Sequence, residues 1–165
     1  VSPTYAADTK VPTTRSREEI ERTLIRYGAT AFSYGWDEGV AVVMFRANER
    51  HIRFDLPMPD RSEFARTPET RAWRSSDGVE KAYEQAVRQR WRALALVVKA
   101  KLEAVEAGIV TFEEEFLAHI VLPDGQTAGD WLIPQVADAY ESGAMPSLLP
   151  PPRPALTTGD GAPRT

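Results

Sequence analysis

Apolar residues recur at helical spacing, then in alternation, then at helical spacing again, and this order predicts an α+β chain. Ile20, Leu24 and Tyr27 share one helical face. Ser16 and Glu19 ahead of them form the pattern of a capping box, and Gly28 behind them supplies a left-handed stop. Thr30–Tyr34 carries two aromatics in alternation, and Trp36-Asp37-Glu38-Gly39 reads as a turn. Val40–Ala47, VAVVMFRA, is a near-continuous apolar run, as in a strand covered on both faces. After a short turn at Asn48-Glu49, Ile52, Phe54 and Leu56 point one way and His51, Arg53 and Asp55 the other. The expectation is a three-stranded antiparallel meander with Val40–Ala47 in the middle.

Pro57-Met58-Pro59 breaks the sheet, and residues 57–76 then lack any period. A loop of that length in a compact domain is usually functional or mobile. A long helix is predicted from Gly78 to Ala107, capped by Asp77 and stopped by Gly108; its middle, Ala93–Val98, is apolar nearly all round and is expected to be buried on most sides. Thr111 and Glu114 form a second capping pattern, opening a short helix to about His119, and Thr127 with Asp130 forms a third. The last helix is predicted to reach Ser142, with Gly143 as its stop and Pro134 kinking or dividing it. Residues 1–14 show no hydrophobic period, and 146–165 are dense in proline, which removes backbone donors and blocks helix. The expected organisation is a flexible segment 1–14, a single α+β domain 15–145 and a Pro-rich disordered tail 146–165. The domain comprises an N-terminal helix, the meander, the long central helix and two shorter C-terminal helices.

The chain has 165 residues and no cysteine, which excludes a disulfide scaffold and any Cys-based metal site or nucleophile. No run approaches the roughly 18–20 apolar residues that span a bilayer, so no membrane partner is expected. The opening residues Val1–Tyr5 show no charged patch followed by an apolar core, and the reading expects an intracellular protein. Phosphate-binding, dinucleotide-binding, serine-hydrolase and zinc-protease motifs are absent, and the two histidines, His51 and His119, fall on different elements. The chain therefore reads as non-catalytic, with neither cofactor nor metal. Glu115 and His119 lie four apart and could reach one ion, but two ligands do not make a site.

Charge is uneven. Residues 42–101 hold 13 Lys+Arg against 8 Asp+Glu, a balance of +5, whereas 109–165 hold 2 against 8, a balance of −6. Arg88, Arg92 and Lys99 share one face of the long helix, with Arg90 and Lys101 on another. Together with Arg53, Arg71, Trp73 and Arg74 they form the candidate surface for nucleic acid or another anion, since aromatics among arginines suit stacked bases and phosphates. The competing reading is that long basic side chains flank a buried waist and reach outward, and the overall charge of −4 is not that of a dedicated nucleic-acid binder.

The stretch RQRWRALALVVKAKLEAVEAGIVTFEEEFLAHIVLPDGQT, Arg88–Thr127, resembles a family of uncharacterised proteins carried by bacteriophages and prophages. RHIRFDLPMPD at Arg50–Asp60 and YESGAMPSLLP at Tyr140–Pro150 resemble the same family. The resemblance brings no activity and no site. It implies a small mobile-element protein in the cytoplasm of a bacterial host, where such proteins act on nucleic acid or on host proteins. The leading expectation is non-catalytic binding of single-stranded nucleic acid in replication or recombination. The alternatives are a module that binds a host protein or joins phage assembly, and a binder of small anionic nucleotides. A homo-oligomer is also expected, because sheet edges invite pairing and the long helix has more apolar surface than one small sheet covers.

Overall fold

The computed structural model describes residues 10–37 and 39–144, in the order α1 (Lys10–Arg26), β1 (Ala31–Asp37), β2 (Val40–Ala47), β3 (Arg50–Pro57), a 3-10 turn (Arg61–Phe64), α2 (Ser76–Glu106), α3 (Phe112–Phe116), a second 3-10 turn (Leu117–His119) and α4 (Ala128–Ser142). The architecture is the expected α+β one. The chain divides into two compact units, 1–132 and 133–165, so the boundary falls within α4 and inside the span 15–145 that the sequence groups together. The tail 146–165 and residues 1–9 lie outside the described residues.

The sheet is an antiparallel meander in the order β1-β2-β3. Asp37 pairs with Val40 and Ala47 with Arg50, so each connection is a two-residue loop. β1 runs on to Asp37 where the sequence suggests a turn from Trp36, because Gly39, at φ +84°, lets the chain reverse within two residues. In the second loop both Asn48 and Glu49 are left-handed, at φ +47° and +60°, the conformation that matches the twist of a tight hairpin. Ala41, Val43, Phe45 and Ala47 of β2 are buried together with Ile52 and Phe54 of β3. The opposite face of β2 is only half covered: Val40, Val42 and Met44 are intermediate and Arg46 is exposed. The apolar run in the sequence therefore overstates its burial.

α1 begins at Lys10, six residues ahead of the expected cap, and Ser16 and Glu19 sit inside it. Pro12 falls in the first turn, where its missing N–H costs nothing. The helix ends as predicted: Gly28 is at φ +83°, Ala29 N–H donates to the Leu24 carbonyl at 2.9 Å and Gly28 N–H to that of Ile25 at 3.1 Å. Ile20 and Leu24 are its buried contribution to the core.

α2 spans 31 residues, about 46 Å. Ser75, rather than Asp77, caps it by accepting from Gly78 N–H. Val87, Trp91, Leu94, Ala95, Val98 and Leu102 are buried, a single stripe at spacings of three and four. The middle of the helix is thus covered on one side only, with Leu96 at 55% exposure and Val97 at 43%. Phe112 and Phe116 of α3 close the core, with Phe116 meeting Phe45 and Phe54 edge-on at 5.9 and 6.4 Å. Of the three expected capping boxes two form, Thr111 with Glu114 and Thr127 with Asp130, while Ser16 and Glu19 lie inside α1. α4 continues undivided through Pro134.

Candidate nucleic-acid surface

The aperiodic stretch after β3 is an ordered structure. Asp60 caps the first 3-10 turn in a capping box with Glu63. The chain then doubles back on itself: Arg74 N–H donates to the Ala65 carbonyl and Thr67 N–H to that of Ala72, both at 2.9 Å, with Arg66 opposite Trp73. Arg71, at φ +58°, is the left-handed residue that turns the chain. Its N–H donates to the Thr67 carbonyl at 3.0 Å, and the Thr67 and Thr70 hydroxyls meet at 2.6 Å. The base of this small hairpin is tied to α2: Arg61 pairs with Glu80 at 2.7 Å and lies 4.5 Å over the Tyr83 ring, and Phe64 meets Tyr83 edge-on.

At the hairpin's open side Trp73 is 72% exposed. The Arg66 guanidinium lies 4.2 Å from its ring centroid, and Arg71 and Trp73 line a concavity of about 480 Å³ with Arg66, Ser62 and Thr67. An exposed indole with an arginine on one face and a second arginine beside it offers a flat stacking surface and positive charge within one small area.

The seven residues singled out from sequence do not form one site. Arg71 and Trp73 come together. Arg74 stands in the same hairpin, half-buried, donating to the Phe64 carbonyl at 3.4 Å. Arg53 is committed to the fold: it contacts Asp55 at 3.2 Å, the Gly125 carbonyl at 2.9 Å and Asp130 at 3.1 Å. It thereby pins the Pro123–Gly125 turn and the start of α4 to the sheet. Asp130 is itself held below the ordinary carboxylate range, first by the Thr127 N–H and hydroxyl it accepts from, then by Arg53. On α2, Arg88 pairs with Glu84 at 3.5 Å and Lys99 with Glu103 at 3.7 Å, the ordinary helical spacing of surface ion pairs. Arg92 lines a separate cavity of about 310 Å³ with Arg15, Ser16 and Glu19 of α1.

Two residues of these surfaces are absent from the sequence-based set. Arg66 belongs to it because the hairpin register sets it across from Trp73, and only the left-handed Arg71 would betray that register. Arg15 is the first residue of the expected domain, ahead of the expected cap, and the earlier helix start brings it beside Arg92. The other polar clusters are structural. Lys101 Nζ donates to the Glu115 carbonyl at 3.0 Å and its carboxylate at 2.9 Å, while the His119 ring stacks on Phe54 at 3.9 Å, so neither Glu115 nor His119 is arranged as a metal ligand. Among the described residues no group of three or more His, Asp or Glu could hold a metal ion, and no helix is long and apolar enough to cross a membrane. No family model, no curated protein and no solved structure matches the chain.

Proposed function

We propose that this chain is a non-catalytic accessory protein, of the phage-derived kind its sequence resembles, that holds single-stranded nucleic acid in replication or recombination. The observation that carries the reading is Trp73: a large aromatic side chain left 72% exposed on an ordered hairpin, backed by Arg66 and flanked by Arg71. An unpaired base can stack on the indole face that Arg66 leaves open, and the two guanidiniums can meet the adjoining phosphates. The basic balance of residues 42–101 favours an anionic strand over this part of the molecule. The concavity of about 480 Å³ also suits a single nucleotide, so the small-ligand reading shares the same residues.

Fluorescence anisotropy with labelled single- and double-stranded oligonucleotides, at low and moderate salt, tests the proposal. The expected result is binding that prefers the single strand, weakens with salt and is lost in the Arg71→Ala/Trp73→Ala double variant. Absence of binding at low salt, or binding indifferent to that variant, would overturn it. A mononucleotide that binds as tightly as the oligonucleotide would shift the conclusion to the small-ligand reading.

A further inference from the structure

The two edges of the sheet are treated differently. The β3 edge is closed: Ile120 bridges Ile52, and Val121 N–H donates to the His51 carbonyl at 2.8 Å. Among the described residues nothing pairs with the outer edge of β1. That edge, AFSYGWD, contains no proline and no lysine, the residues that usually guard an open strand.

The hydrogen-bond alternation determines what this edge presents. Met58 N–H donates to the Gly39 carbonyl, so odd-numbered residues of β2 face β3 and even-numbered ones face β1. The even-numbered residues Val40, Val42, Met44 and Arg46 pair with Asp37, Gly35, Ser33 and Ala31. The backbone N–H and C=O groups of Phe32, Tyr34 and Trp36 therefore point outward. Their side chains lie on the core-facing side of the sheet, opposite Phe45, Val43 and Ala41, where Tyr34 is still 50% and Trp36 53% exposed.

We infer that β1 is a self-pairing strand that joins two copies of this chain into a six-stranded antiparallel sheet. A two-fold axis through Tyr34 sets Tyr34 against Tyr34 of the other copy and Phe32 against Trp36, and each of these is a hydrogen-bonded pair. This register satisfies all three outward-facing residues at once, and it is self-complementary, as a two-fold interface requires. The same pairing gathers six aromatic side chains on one face, where cross-strand aromatic contacts stabilise a sheet. A strand whose outward groups were offset from its own mirror, or one bearing a net charge along its length, would suit a different partner. β1 has one charged residue, at its end. At half exposure the Tyr34 and Trp36 rings contribute roughly 100 Å² each, and the partly buried Phe32 ring less. The interface is then below the size of a stable complex, about 1,200 Å² and more, and the dimer is concentration-dependent. The Arg17 guanidinium rests 4.5 Å over the Tyr34 ring.

Sedimentation equilibrium of the full chain over a wide concentration range is expected to show a mass rising from 18.4 kDa towards twice that value. Tyr34→Pro removes an outward N–H that the fold does not use, and is expected to weaken the dimer about tenfold or more. Because the chain has no cysteine, a single Tyr34→Cys substitution gives an independent reading. Its two thiols sit on residues with Cα atoms about 5.5 Å apart and cross-link with a short bifunctional reagent. Phe32→Cys, four residues from its own copy in this register, does not. A single-chain mass at every concentration, a dimer untouched by Tyr34→Pro in a variant that still melts cooperatively, or equal cross-linking of the two cysteine variants would each overturn the inference.

Discussion

Arg66 lies over the indole of Trp73, 4.2 Å from the ring centroid, and the two residues face each other across a hairpin too short to count as part of the sheet. The pairing holds the indole in one orientation while leaving its other face to solvent. Stacking of one base on such a ring contributes about 1–3 kcal/mol. Trp73→Ala is therefore expected to weaken single-strand binding by roughly 5- to 150-fold, with Trp73→Phe retaining part of it. Arg71→Ala is expected to act differently, flattening the dependence of log K on log salt by about 0.7. Titrations of the three variants at several salt concentrations check both effects.

Arg53 predicts the opposite pattern. Its guanidinium joins Asp55, the Gly125 carbonyl and Asp130, and its side chain is 24% exposed. Arg53→Ala leaves the Gly125 carbonyl and Asp130 without this donor and loosens the turn that precedes α4. A loss of about 1–3 kcal/mol in urea unfolding is expected, with unchanged affinity for oligonucleotide in the folded protein. A drop in affinity without a drop in stability would return Arg53 to the binding surface.

The β2–β3 hairpin turns through Asn48 and Glu49, both left-handed. Asparagine tolerates that conformation; glutamate gains nothing there and bears the crowding of its Cβ. Glu49→Gly is expected to stabilise the protein by about 0.5–1 kcal/mol, since relief of the left-handed strain outweighs glycine's greater freedom in the unfolded chain. A higher urea midpoint with an unchanged slope is the confirming result.

The elements were legible where a local signal specified them. Gly28 and Gly108 mark two helix ends, Thr111/Glu114 and Thr127/Asp130 mark two helix starts, and alternation in Arg50–Leu56 gives the inward residues correctly. Reading failed where tertiary packing decides. Leu96 and Val97 look like core yet are exposed, because only one α2 stripe meets α1 and the sheet. α1 starts at Lys10, six residues ahead of the cap expected at Ser16, because the Ser16/Glu19 pattern sits inside the helix rather than at its start. The candidate site was half legible: arginines and Trp73 stand out in composition, but their grouping depends on Arg71's left-handed backbone and on ion pairs such as Arg53–Asp130, which join residues far apart in the chain.

Gly129 shows a backbone approach that the sequence does not announce. A Cβ there would sit 2.7 Å from the Ala118 carbonyl oxygen and 3.3 Å from the Ala118 Cβ, so the first turn of α4 packs directly on the Leu117–His119 turn. Gly129→Ala is expected to cost about 1–3 kcal/mol, because the nearer atom is backbone and cannot rotate away. Adding Ala118→Gly should restore little, as the oxygen remains. Full rescue in the double variant would show that the side chain, not the backbone, makes the contact.

His119 gives the fold a predicted acid sensitivity. Its ring is half-buried and stacked on Phe54 at 3.9 Å. Burial lowers its pKa below the ordinary histidine value, and the Lys101 charge lowers it further; the Arg53 backbone contact and Asp55 pull the other way without reversing the shift. In the unfolded chain the same imidazole titrates near about 6.5. The unfolded state therefore takes up its proton first as pH falls, and it binds more protons than the folded state throughout the window between the two values. The stabilisation is complete above about pH 6.5 and is lost as pH falls from there towards the folded value. The carboxylates held low by hydrogen bonds, Asp60, Glu114 and Asp130, lose their contributions only in more acidic solution, so they do not mask this step. Urea midpoints at about pH 7.5 and 5.5 should differ in the wild-type chain, and His119→Gln should reduce that difference even though it lowers stability at both. An undiminished difference in the variant would place the acid-sensitive group elsewhere.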